Sequence, residues 1–213
     1  MSTGRRRFLQ WTLGGAAGAM LTGSARALRA APERSGDPWL DAIAGRRHKA
    51  FLDVSYFVPD GAPFRRTRAL MATLKESYGA ADTNIGVAFG AHSSGLGYLL
   101  TPAAWDELGL VELLASLNLR SADAQTLRSA TKNWGSVGAE GVAEFRERGV
   151  RFLACGQTIQ KWSERIASAR GGSAPDVATK IRAGLHAGVE QVPTMIAAAV
   201  VAQGRGVGYV AVG

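Results

Sequence analysis

Gly149-Val150-Arg151-Phe152-Leu153-Ala154-Cys155-Gly156-Gln157-Thr158 is the stretch on which the fold turns. Residues 150–154 form a run of strand length that is apolar except for Arg151. It stops at a cysteine, a glycine and two polar residues before 159–169 takes up helical spacing. A strand that feeds directly into a helix is half of a parallel crossover unit, so strands and helices should alternate on either side of it.

Upstream, Lys49-Ala50-Phe51-Leu52-Asp53-Val54 reads as the first strand, followed by a turn through Pro59-Asp60-Gly61 and a helix over 63–78. Phe64, Leu70, Met71 and Leu74 share one face of that helix, and Gly79 stands where a helix ends. Ile85-Gly86-Val87-Ala88-Phe89-Gly90 is apolar throughout, as a strand buried on both faces would be. The small-residue loop 91–98 leads into a helix over 102–114. Residues 118–137 have no period and read as a surface excursion that covers a site or an interface. A helix near 138–148 precedes the central strand.

Downstream, a Gly/Ser/Pro loop at 170–175, an amphipathic segment over 176–187, a short strand at 190–192 and a last strand at 208–212 complete the series. Pro193 is placed for the first turn of a helix running to 203. Five strands separated by helices predict a three-layer α/β fold of the flavodoxin-like kind. Its mostly parallel five-stranded sheet would carry helices on both faces. The segment 194–202 is apolar nearly all round, so something beyond the sheet should cover it, and a homo-oligomer would supply that cover.

The N-terminus reads differently. Gly4-Arg5-Arg6-Arg7-Phe8-Leu9-Gln10 is a basic head, 11–23 is apolar and glycine-rich, and Ala25-Arg26-Ala27 is a cleavage site. This is the layout of an export signal, and its apolar run falls short of the roughly 18 residues that span a bilayer. The head resembles the twin-arginine signal, with Arg5 and Arg6 as the pair, Gly4 where Ser is common and Gln10 where Lys is common. The implied divisions are a signal peptide at 1–27, a linker with a docking segment at 28–47 and one domain at 48–213. The implied location is the periplasm or another exported compartment, with no membrane attachment after cleavage.

Removing 1–27 takes away four arginines and no acids, so the formal charge of +8 falls to +4 for the remaining 186 of 213 residues. The remaining cations are scattered among acids with no basic stripe interleaved with aromatics, which argues against nucleic acid. No GxGxxG or Walker pattern follows a strand, and Gly95-Leu96-Gly97 is too short to cradle a phosphate. The cofactor, if any, is unknown.

Cys155 is the single cysteine, so no intrachain disulfide can form. A thiol at a helix N-terminus meets free backbone N–H groups and the positive end of the helix dipole, which favour thiolate. Such a group could accept a sulfane sulfur, attack a disulfide or ligate a soft metal. Alternatively it is a buried small hydrophobe. His92 follows the second strand, where it could donate a proton or face solvent. Asp53 and Ser55 stand at the end of the first strand, where Asp53 either caps a turn or joins the site. His48 and His186 make no ligand spacing with Cys155, and no metal is expected.

Three stretches in order, 84–90 with its loop, 149–158 and 192–209, resemble the DsrE/DsrF-like family, which includes sulfur carriers with a parallel sheet and helices on both faces. The resemblance spans roughly 48–213. It implies that Cys155 carries a persulfide and that a sulfur-donor or acceptor protein is a partner. The 118–137 stretch and the export signal depart from the cytoplasmic carriers. The alternative is a ligand-binding or assembly module of the same fold, with a structural cysteine.

Overall fold

The computed structural model describes residues 36–58, 60–116 and 134–212. The signal peptide, the first part of the 28–47 segment and most of the 118–137 stretch lie outside them.

Within the described residues the chain forms α1 (Pro38–Ala44), β1 (His48–Val54), α2 (Ala62–Glu76), β2 (Ile85–Ala91), α3 (Pro102–Leu108), α4 (Leu110–Ser116) and α5 (Trp134–Glu147). It continues with β3 (Arg151–Cys155), α6 (Gly156–Arg170), α7 (Ala174–Ala183), β4 (Val189–Val192), α8 (Met195–Gly204) and β5 (Gly208–Ala211). Short 3-10 turns at Asp82–Asn84 and Ser93–Leu99 flank β2. The five strands lie in the order β4-β3-β2-β1-β5, and every pairing is parallel. The expected α/β sheet is present.

Side chains alternate across this sheet, so each strand feeds two cores. Leu52, Val54, Val87, Phe89, Phe152 and Ala154 face one side, where they pack with α2, α3, α5, α6 and α7. Phe51, Ala88, Leu153 and Cys155 face the other, under α1 and α8. The crossovers from β1 to β4 all step in one direction and leave their helices on the first face. The return from β4 to β5 steps the opposite way, so a crossover of the same hand puts α8 on the second face. Adjacent strands β3 and β4 therefore send their chains to opposite faces, and the crevice between their carboxyl ends is the switch point of the sheet.

Burial follows strand position. Every residue of β2 is buried and every residue of the edge strand β5 is exposed. Close approach of α8 to β2 depends on Gly90: a Cβ there would lie 2.5 Å from the Met195 sulfur and 2.7 Å from the Phe51 ring. The described part of the 28–47 segment holds α1, which buries Trp39, Leu40 and Ile43, with Trp39 edge-on to Phe51.

Several expected boundaries differ for local reasons. The helix expected over 102–114 is two helices, because Gly109 adopts a left-handed conformation at φ 57° and ends the first. The helix before β3 begins at Trp134 rather than near 138. Pro193 lies outside α8, whose N-cap is Thr194, with its hydroxyl accepting from the Ala197 N–H at 3.1 Å. The helix after β3 starts at Gly156, so Cys155 is both the last strand residue and the N-cap.

Candidate functional site

Cys155 pairs in register with Val192, across the switch point. Its side chain makes no capping hydrogen bond to α6. The residue is 4% exposed and packs with Leu153, Val192 and Met195, yet it borders a cavity of about 270 Å³ that opens at the sheet's carboxyl edge. The α6 residues Lys161, Trp162 and Arg165, together with His92, Ser93 and Ile196, also line this cavity. The structure thus brings Cys155 and His92 to one site.

His92 leaves β2 with its N–H bonded to the Val54 carbonyl at 3.1 Å. Its Nε2 lies 2.9 Å from Asp53 Oδ1 and 3.1 Å from Ser55 Oγ, and its Nδ1 lies 3.1 Å from Ser93 Oγ. The Asp53 contact is close enough for charge attraction, but it is off the line of a good N–H···O bond, which leaves Oδ1 without an aligned donor. An ionised carboxylate at that distance favours a proton on Nε2 and leaves Nδ1 to accept from Ser93. Tyr209, on β5, donates to Asp53 Oδ2 at 2.5 Å.

Asp53 belongs to this network and does not line the Cys155 cavity. The strand order explains why: the switch point lies between β3 and β4, whereas Asp53 is on β1, two strands from β3. Burial pushes the Asp53 carboxyl up, but contacts with His92 and Tyr209 outweigh it and hold the group below the ordinary carboxylate value. The same hydrogen bond to Asp53, with burial, pushes the Tyr209 hydroxyl up to about 12.

Ser93 joins the two halves. Its N–H donates to Thr158 Oγ1 at 3.1 Å, tying the loop after β2 to the first turn of α6. With φ at 48°, it is the non-glycine residue in the left-handed region among the described residues. Backbone held in that region costs about 1–3 kcal/mol and collects at functional sites.

The sequence reading missed Tyr209, Ser93, Lys161 and Arg165. The four-residue spacing of the two cations was visible, but which face of α6 it marked depended on the cavity. His48 opens β1, and His186 follows α7 with its N–H bonded to Leu99. Neither lines the cavity. Among the described residues, no group of three or more His, Cys, Asp or Glu side chains could hold a metal, and no helix is long and apolar enough to cross a membrane.

Fold and site together describe an α/β protein with a central parallel sheet and a thiol-bearing cavity at its carboxyl edge. No family model matches the chain, and no curated protein matches it. Among solved structures it is similar to the protein of unknown function MTH1491 from Methanobacterium thermoautotrophicum, at 17% identity and a TM-score of 0.43. That likeness covers 77% of this chain and 98% of that one.

Proposed function

We propose that the chain is a DsrE/DsrF-like protein that takes up sulfane sulfur on Cys155 and passes it on. The observation that carries this reading is the place of the thiol. It ends a central strand at the switch point and borders a cavity, although 96% of the residue's surface is withdrawn from solvent. Ligands of parallel sheets collect at such crevices.

The step needs one cysteine. The Cys155 thiolate attacks the terminal sulfur of a donor R–S–SH, so the Sγ–S bond forms. The donor S–S bond breaks with its electron pair on RS⁻, and the proton stays on the transferred sulfur. Cys155 becomes a persulfide with no net oxidation, and the reverse attack by an acceptor thiol returns it to thiolate. His92, at the same cavity, is placed to exchange a proton with the donor or the acceptor.

Intact-mass spectrometry tests the proposal. After treatment with polysulfide, the folded protein should gain about 32 Da and the Cys155→Ala variant nothing. An equal gain in both, or none in either, would sink it.

A second reading rests on burial itself. Cys155 packs with Leu153, Val192 and Met195 as a small hydrophobe would, and the fold then serves as a binding or assembly module. Under that reading, the thiol stays inert to alkylating reagents until the chain unfolds.

Two further proposals follow from the N-terminus and from the outer face of α8, whose Ile196 also lines the cavity. Arg5 and Arg6 direct twin-arginine export, which predicts that replacing both with Lys leaves the uncleaved precursor in the cytoplasm. Ile196, Val200 and Val201 on α8, exposed to 78%, 61% and 47%, with Tyr209 and Val210 on the neighbouring edge strand, form the surface where a second copy docks.

A further inference from the structure

We infer that the Cys155 cavity selects small anionic sulfur donors, such as persulfides of thiols that bear a carboxylate or sulfonate, and holds their charge against Lys161 and Arg165. The inference deepens the sulfur-handling reading and rests on it. Lys161 and Arg165 stand four residues apart on α6, so they project from one face of the helix, and both line the cavity beside the thiol. Among the described residues, neither has an ion-pair partner.

Some surface cations are paired with acids, as Arg65 is with Asp60, Arg68 with Glu144, Lys75 with Asp82 and Lys180 with Glu107. Others, such as Arg66, Arg146 and Arg170, are met by backbone carbonyls. What sets Lys161 and Arg165 apart is that both line the thiol cavity. No Asp or Glu lines this cavity. Glu164, the acid next to Arg165, accepts from the Gln160 amide and borders two neighbouring clefts, one of which Arg165 also lines, but it does not line the thiol cavity. Asp53 stands behind His92, outside this cavity, and accepts a hydrogen bond from Tyr209. Two unanswered cations over an apolar wall that includes Trp162 and Ile196 give the cavity a positive potential, which a low-dielectric surface focuses.

Transfer to Sγ releases RS⁻, so negative charge is present on the donor and grows on its leaving sulfur. One cation can hold the donor's fixed anionic group while the other stabilises the departing thiolate. A neutral donor gains neither contact.

Because Cys155 is the single cysteine, its reaction with disulfide reagents reads out this one site. The test compares the dianionic 5,5′-dithiobis(2-nitrobenzoate) with the neutral 4,4′-dithiodipyridine on the folded protein and on a Lys161→Gln/Arg165→Gln variant. The variant should react about tenfold or more slowly with the dianion and within about twofold of wild type with the neutral reagent. Raising ionic strength should slow the dianion on wild type and leave the variant unchanged. Equal slowing of both reagents, or no slowing of either, would overturn the inference. If the dianion keeps its advantage but polysulfide adds no sulfur, the charge selection stands and the sulfur reading falls. A wild-type thiol inert to both reagents until unfolding would overturn both.

Discussion

Asp53 is the residue whose charge state most directly reports the network beside the cavity. Its carboxyl is held below the ordinary value, so its contribution to stability is complete above about pH 3.9 and is lost as the pH falls through the lower folded value. The stability gap between wild type and Asp53→Asn, measured by urea unfolding, should therefore be widest near neutrality and close in acid. Tyr209 moves in the opposite sense: with its hydroxyl raised to about 12, its contribution is complete below about pH 10 and is lost as the pH rises from there through about 12. Ultraviolet titration should show two tyrosines ionising late in wild type, buried Tyr98 and Tyr209, and in Asp53→Asn Tyr209 alone should return toward about 10. An unchanged titration would mean that the Tyr209–Asp53 bond does not hold in solution. Cys155, His92 and Asp53 were legible as candidates because each closes or follows an apolar run. Tyr209 was not, because it reaches Asp53 only when β5 returns across the molecule to pair with β1.

At the scale of elements, the second face of the sheet depends on tight contacts made by α1 and α8. Trp39→Ala should cost about 3–5 kcal/mol in chemical denaturation, since it empties a fully buried site against Phe51. Gly90→Ala should cost about 1–3 kcal/mol, because its methyl group meets Met195 and Phe51. Met195 lines the Cys155 cavity, so the same substitution should also change the rate of thiol alkylation. Most strands and helices were legible from periodicity, while their ends were not. A left-handed Gly109 splits one expected helix, and the Thr194 cap, rather than Pro193, starts α8. Both outcomes depend on backbone geometry that hydrophobic spacing does not encode.

At the scale of the molecule, the order β4-β3-β2-β1-β5 decides which residues meet. Residue types and spacing implied a parallel sheet, but the position of its switch point emerged only from the strand order, and that position separates Asp53 from the thiol cavity. The same topology leaves α8 and β5 with apolar side chains facing outward. Ile196→Asp/Val200→Asp should shift the protein to monomer in light scattering if a second copy covers that face, and a monomeric wild type would contradict the docking proposal. The central claim is that the fold makes a buried thiol usable instead of shielding it. The direct measurement is the rate of sulfur addition to Cys155 from polysulfide, followed by intact mass, in the folded protein and in the same chain unfolded in urea. A built site predicts faster addition in the folded protein. Addition that begins only on unfolding would contradict the account and identify Cys155 as part of the core alone.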